Sequence, residues 1–184
     1  MELTPSTSFW ANVNRTLFDR DTYKTDTGCK FTMKQGTGCV DVAEDGTITV
    51  SDADTLKIYG SKSDDKIKVL NSYVKAATIG RGKDAIMFDN CEFKKHQLFH
   101  PGTVISTYGK KDDVATIMIN GDFDGYMNLQ QGMGKGWGKD DYAHKDHVLI
   151  TGNNNGSIQV DGCDKVAIKG KEKGRISNVT VYYV

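Results

Sequence analysis

Short apolar segments recur along the chain at a nearly constant interval, and each is closed by a polar turn. The segments are GTITV, DKIKV, DAIMF, ATIMI, DHVLI and DKVAI. Their first central apolar residues are Ile48, Ile67, Ile86, Ile117, Val148 and Val166, at intervals of 19, 19, 31, 31 and 18 residues. A near-constant period of short strands is typical of solenoid proteins, in which each repeat forms one coil of a stack.

Further strand candidates lie between these segments: VDVA, TLKI, YVKAATI, TVISTY and SIQV. Their Val, Ile, Thr and Tyr content favours strand over helix. The connecting turns are rich in Asn, Asp and Gly, which tolerate the left-handed backbone that sharp corners require. We therefore predict that alternate side chains point into a narrow core. The predicted inward pairs are Ile67 with Val69, Ile86 with Phe88, Val148 with Ile150, and Val166 with Ile168.

The pattern predicts an all-β fold, a right-handed parallel β-helix (solenoid) with a short N-terminal cap. Residues 28–184 are expected to form one solenoid domain, and residues 1–27 a cap or irregular segment. Within the cap, SFWANVNRTLF is expected to form a short helix with Ser8 or Thr7 as N-cap, covering the open end of the stack. An antiparallel β-sandwich is the alternative, because its strands also alternate. It gives no reason for the recurrence of D-x-[IV]-x-[IVF].

Composition narrows the classes of partner. The chain has 184 residues, with 24 basic and 24 acidic side chains. This balance argues against a nonspecific nucleic-acid binder, which would show a basic excess. No apolar run approaches the roughly 20 residues needed to span a bilayer. No signal peptide is visible at the N-terminus, but an extracellular or cell-surface location is expected from the functional hypotheses below.

Four cysteines lie at positions 29, 39, 91 and 163, and no CxxC pair is present, which argues against a zinc ribbon. Cys29 and Cys39 stand in the matching phrases TGCKFTM and TGCVDVA. Neighbouring strands would allow these two to form a disulfide. Buried or free thiols are the alternative.

The two 31-residue intervals each carry 12 residues beyond the 19-residue repeat. Extra residues in a solenoid form loops on one face, and such loops often bind ligands. We predict insertion loops near 94–102 and 121–145, side by side because the long repeats are consecutive. All four histidines fall in or beside them: His96, His100, His144 and His147.

These insertions contain candidate sugar-binding residues. The aromatic faces of Trp137 and Tyr142 would lie against sugar rings, with Asp140 and Asp141 bonded to hydroxyls. His96 and His100 complete the candidate ligand-binding set, and His144 is a further group for hydroxyls or acids. The alternative is that Trp137 packs the loop onto the wall of the solenoid.

The same histidines form a candidate metal site. HQLFH and HKDH place imidazoles four and three residues apart, with Asp146 between His144 and His147. Neutral imidazole with carboxylate suits zinc, nickel or iron. The alternative is that these are solvated loop histidines.

The segment GRGKDAIMF resembles one copy of the glycine- and aspartate-rich nonapeptide of calcium-binding β-roll proteins. The same stretches resemble coils of right-handed parallel β-helix proteins, including compact pectate lyases. The resemblance implies calcium as a cofactor, with Asp65 and Asp84 at the corresponding positions, and in the lyases clustered acids with a Lys or Arg base. For a lyase reaction on this chain, His144 or Lys145 would be the base, and Arg81 or Lys110 would stabilise the enolate.

Three functions are therefore expected as alternatives. The first is a secreted or surface-associated module that contacts glycan or a host surface through loops 94–102 and 121–145. The second is a small calcium-dependent polysaccharide (uronan) lyase. The third is a structural scaffold without a ligand. The sequence does not decide whether the chain is an enzyme.

Overall fold

The computed structural model of the chain describes residues 1–95, 97, 102–109, 112–129, 145–160, 164–177 and, for the backbone alone, 181–183. These residues contain one α-helix, α1 (Phe9–Phe18), and 17 strands. The strands are β1 (Arg20–Lys24), β2 (Lys30–Lys34), β3 (Cys39–Val42), β4 (Ile48–Ser51), β5 (Leu56–Tyr59), β6 (Lys66–Leu70), β7 (Tyr73–Ile79), β8 (Lys83–Asp89), β9 (Glu92–Phe93), β10 (Val104–Thr107), β11 (Val114–Asn120), β12 (Tyr126–Asn128), β13 (His147–Ile150), β14 (Ser157–Gln159), β15 (Lys165–Ile168), β16 (Arg175–Ser177) and β17 (Val181–Tyr183).

The strands form two sheets. Sheet I has the order β17-β15-β13-β11-β8-β6-β4-β3, and sheet II has the order β1-β2-β5-β7-β10-β12-β14-β16, with β9 also paired to β7. From β4 onward the chain passes back and forth between the sheets, and corresponding strands pair in parallel. The fold is therefore all-β with predominantly parallel sheets. The alternative prediction, an antiparallel β-sandwich, is therefore wrong for these strands.

The register predicted from the sequence is confirmed along sheet I. Five successive pairs lie opposite each other: Ile48 with Ile67, Ile67 with Ile86, Ile86 with Ile117, Ile117 with Val148, and Val148 with Val166. All eight residues of the predicted inward pairs are buried. Because the side-chain period of a strand is two, this register places the predicted inward pairs on the same face of the sheet.

One hydrophobic cluster contains the inward side chains of both sheets. Three phenylalanines join successive repeats within it. The Phe93 ring packs edge-to-face against Phe88 at a centroid distance of 5.4 Å and against Phe123 at 5.3 Å. This arrangement fixes the chain immediately before the first predicted insertion.

The N-terminal end differs from the rest of the stack. The predicted helix is confirmed: the Ser8 side chain accepts a hydrogen bond from the Ala11 amide at 3.3 Å, as an N-cap does. Helix α1 contacts β1, the first strand of sheet II. The pairs β1–β2, β2–β5 and β3–β4 are antiparallel, so parallel stacking starts at β4 and β5, later than residue 28.

Sharp corners follow the strands of sheet I. Asp52, Asn71 and Asn90 have positive φ angles of 54°, 48° and 50°, and each follows its strand at an equivalent position. The Asn90 amide donates to the Asn71 side-chain oxygen at 2.9 Å. Asn and Asp tolerate this conformation, which explains the predicted turn composition.

Cys29, Cys39 and Cys91 are free thiols, so the Cys29–Cys39 disulfide is not formed. Burial and a hydrogen bond to Asp65 raise the pKa of the Cys29 thiol to about 12. Cys163 lies outside the described residues.

Candidate functional site

A surface groove crosses three successive repeats where the chain enters sheet II. Three equivalent tripeptides line it, together with Lys95: Asp124-Gly125-Tyr126, Asn155-Gly156-Ser157 and Lys173-Gly174-Arg175. The parallel register aligns Tyr126 with Ser157 and Ser157 with Arg175. The volume of about 280 Å³ lies near the lower end of the range for small-molecule sites, about 300–1,000 Å³. The groove therefore suits a short part of an extended ligand.

Bare backbone forms the floor of this groove. A Cβ atom at Gly156 would overlap the carbonyl oxygen of Gly125, and one at Gly174 would overlap that of Gly156. The same carbonyls accept hydrogen bonds from the Ser157 and Arg175 amides, each at 2.9 Å. Close strand pairing thus requires glycine in this column and leaves the floor flat and rigid.

Two asparagines hold the backbone next to the groove in position. The buried Asn154 amide donates to both carboxylate oxygens of Glu172 at 3.1 Å, and its oxygen accepts from the Gly156 amide at 3.1 Å. The Asn153 backbone amide donates to Asp122 at 2.7 Å. This bond and the bonds from the Asn153 side chain hold the pKa of the Asp122 carboxyl below its usual value. These hydrogen bonds therefore help to hold the tripeptides in position.

Charged side chains form the rim of the groove. Lys95, Lys173 and Arg175 are exposed, and Asp124 is half-buried. Within the part of the chain that the structure describes, none of these four groups forms an ion pair. They are available to a ligand.

Neutral polar groups complete the lining. The Tyr126 hydroxyl donates to the side-chain oxygen of Gln159 on the neighbouring strand, which orients its half-buried ring. Ser157 and Asn155 add a hydroxyl and an amide on the next repeat. An aromatic ring next to donors and acceptors suits a hydroxyl-rich ligand. The aromatic ring contacts the ring faces of the ligand, and the donors and acceptors bond its hydroxyls.

The groove joins parts of both predicted insertions, because Lys95 belongs to 94–102 and the first tripeptide to 121–145. The roots of the two excursions are not adjacent, however. Lys94 and Thr103 lie at the two ends of the first excursion, near the beginning of the sheet II strands. The Lys94 amide donates a hydrogen bond to the Thr103 hydroxyl at 2.9 Å. On either side of the second, the described chain stops at Leu129, just after the end of β12, and resumes at Lys145, before β13. The expectation that the two loops lie side by side stays a prediction, because most of their residues lie outside the described residues.

Most of the predicted ligand residues lie outside the described residues. They are His96, His100, Trp137, Asp140, Asp141, Tyr142 and His144. Their predicted roles in sugar or metal binding stay predictions.

The predicted metal ligands Asp65, Asp84 and Asp146 are buried in one column where the strands of sheet I begin. The Asp65 amide donates to Asp84 Oδ1 at 2.9 Å, and the Ala115 amide donates to Asp146 Oδ1 at 2.9 Å. Asp65 itself accepts from the Ser61 amide at 2.7 Å. These carboxylates tie adjacent repeats together.

Among the described residues, no group of three or more His, Cys, Asp and Glu side chains is arranged to hold a metal ion. Calcium as a cofactor therefore stays a prediction. The fourth predicted ligand, His147, is half-buried on β13 and pairs with Thr116 and Lys165 in neighbouring strands.

Asp84 differs from the other acids of the column, because its buried Oδ2 atom has no hydrogen-bond partner among the described residues. At the matching corner, the Thr107 hydroxyl donates to Asp146 Oδ2 at 2.6 Å. The strand registers place Gly60 where Thr107 would stand, and Gly60 has no side chain to donate. Burial, with the nearby Asp65 carboxylate, raises the pKa of Asp84 to about 7.

The predicted catalytic residues Arg81 and Lys145 lie near the beginning of β8 and β13, on the side of sheet I where its strands start. Strand β11 separates β8 from β13, so the two backbones are about 10 Å apart. The groove lies instead where sheet II begins. The structure does not bring this pair to the groove, and the lyase reaction stays a prediction.

The tripeptides of the groove were missed as a site in the sequence. They stand in DGYMNL, NGSIQV and KGRISN, with glycines 31 and 18 residues apart. These intervals equal those of the last segments of sheet I. The shared spacing is the signal that predicts three aligned corners.

No protein-family model matches the chain, and the searches of curated proteins and of solved structures found no match to it. The helix of the described residues is neither long nor apolar enough to cross a membrane.

Proposed function

We propose that the chain is a right-handed parallel β-solenoid that serves as a secreted or surface-associated module and contacts a glycan through the groove. The solenoid is supported by the regular passage of strands between two sheets and by their parallel, in-register pairing. Contact with a host surface would then take place through the glycans on it.

One observation carries the proposal: the groove presents an aromatic ring, a hydroxyl, an amide and charged groups over a floor of glycine backbone, and residues of both predicted insertions line it. Parallel strands repeat at about 4.8 Å, so the lining groups recur at this interval across three repeats. An extended sugar chain laid across the strands would meet one tripeptide at each level. A preformed surface of this kind binds without a large ordering cost.

The test is a glycan array followed by titration of the best oligosaccharide against wild type and Tyr126→Ala. We expect the substitution to weaken binding about 10-fold or more, because loss of one well-packed aromatic contact costs about 1–3 kcal/mol. The melting temperature should change little, since the Tyr126 side chain is only half-buried.

Tyr108→Ala is the matched control, because Tyr108 is 41% exposed and does not line the groove. It should leave binding unchanged. Equal loss in both variants would contradict the role of the groove. If no glycan on the array binds, the glycan proposal is wrong and the scaffold alternative is favoured.

A further inference from the structure

The charges around the groove are unequal. Three cations, Lys95, Lys173 and Arg175, face one carboxylate, Asp124. Lys173 and Arg175 flank Gly174, so alternate positions of one segment present two like charges to the same region. The two positive charges repel each other unless an anion lies between them. Among the described residues these cations form no close ion pair, and the Asp122 carboxylate, which attracts Lys173, offsets only part of this repulsion.

We propose that the groove selects an acidic sugar, whose carboxylate or sulfate is held by Lys173 and Arg175 and whose hydroxyls are bound by Asp124. This inference rests on the proposed function and names the class of glycan. Arg175 supplies the planar pair of N–H donors that matches the two oxygens of a carboxylate or sulfate. Lys173 adds a point charge without fixed geometry.

Asp124 distinguishes this ligand from denser polyanions. A carboxylate accepts hydrogen bonds from sugar hydroxyls but repels phosphate groups. The register separates the levels of Asp124 and Lys173 by two strand spacings, about 10 Å. A sugar chain offers hydroxyls at one of these levels and an acidic group at the other. A nucleic acid would place phosphates near Asp124, and the chain as a whole has no basic excess to offset that repulsion.

The experiment compares acidic oligosaccharides with neutral forms of the same backbone. The probes are oligomers of polygalacturonate, alginate and chondroitin sulfate, together with sialyllactose. Their neutral partners are the carboxyl-reduced uronans, desulfated and carboxyl-reduced chondroitin, and lactose. Isothermal titration at two salt concentrations gives the affinity of each. We expect at least one acidic probe to bind 10-fold or more tightly than its neutral form, with an advantage that falls as salt rises.

Arg175→Ala and Lys173→Ala should each reduce this advantage, with Arg175→Ala costing about 10- to 100-fold for the acidic probe. Arg175→Lys should restore only part of the loss. Lys169→Ala is the control, because Lys169 is an exposed cation of the same region that does not line the groove. It should leave the preference intact.

The outcomes separate the two proposals. Equal binding of acidic and neutral forms overturns the acidic-sugar inference and leaves the glycan proposal standing. An acidic preference that survives both groove substitutions also overturns the inference. If no oligosaccharide of either kind binds, both proposals are wrong.

Discussion

Asp84 and Asp146 occupy equivalent corners of the stack but have different partners. Asp146 accepts hydrogen bonds at both oxygens, from the Ala115 amide and the Thr107 hydroxyl. Asp84 accepts one from the Asp65 amide, and within the described part of the chain its second oxygen has no hydrogen-bond partner. The carboxylates of Asp65, Asp64 and Asp113 also oppose its ionisation. A neutral carboxyl is therefore easier to accommodate at this corner than a carboxylate.

We predict that the free energy of unfolding falls as pH rises from about 4 to about 7. The folded-state pKa of Asp84, about 7, lies above the usual value of 3.8, so the folded protein binds this proton more tightly than the unfolded chain. This contribution is fully present below pH 3.8 and is lost as pH approaches 7. The loss is at most about 4 kcal/mol.

Urea unfolding across this pH range measures the slope. Asp84→Asn should flatten it, whereas Asp146→Asn should lower stability and leave the slope in place, because Asp84 is then unchanged. A slope that persists in Asp84→Asn would show that another group titrates.

Strand β11 illustrates what the period-two pattern does at the scale of one element. Ile117 is fully buried between Ile86 and Val148, whereas Met118 points outward and is half-buried. We predict that Ile117→Ala lowers the free energy of unfolding by about 3 kcal/mol, since it leaves a cavity in the core. Met118→Ala should cost less than about 1 kcal/mol. Urea denaturation of both variants checks this, and similar costs would contradict the assigned facing.

The strands of sheet I were predictable because one repeated sequence pattern indicates both their register and which side chains point into the core. Ile67 and Val69 in DKIKV stand in the same places as Ile86 and Phe88 in DAIMF. Sheet II has weaker signals. Strands β12, β14 and β16 have only three residues each, and the register shifts between Leu56 and Lys57. Their alignment is set by close packing of glycines, which hydrophobic periodicity does not detect.

The antiparallel start was missed, and the corners from which the insertions leave were not predicted, for different reasons. Residues 44–47, EDGT, contain an Asp-Gly turn in which Gly46 has a φ of 79°, and this hairpin signal reverses β3 onto β4. The insertions were sized correctly from the 31-residue intervals. Interval length does not say which corner of a repeat carries the extra residues, so the positions of their roots required the structure.

At the scale of the whole molecule, the contacts between the described strands are mainly those between neighbours within a sheet. We predict that hydrogen exchange is slowest in β8 and β11, which have seven residues each and are paired in parallel on both sides. It should be fastest in α1, where Phe9 and Trp10 are 72% and 73% exposed. Exchange measured by mass spectrometry gives both rates, and uniform protection along the chain would contradict this graded stability.

The 19-residue spacing of Ile48, Ile67 and Ile86 has a consequence for how the length of this molecule can change. Excision of residues 67–85 would bring Ile86 directly opposite Ile48 and would carry the Asn90 corner to the place of Asn71. The stack would become one strand spacing shorter, by about 4.8 Å, with its remaining pairs unaltered. Gain or loss of such a unit by gene duplication or deletion would therefore preserve the alignment of everything beyond it.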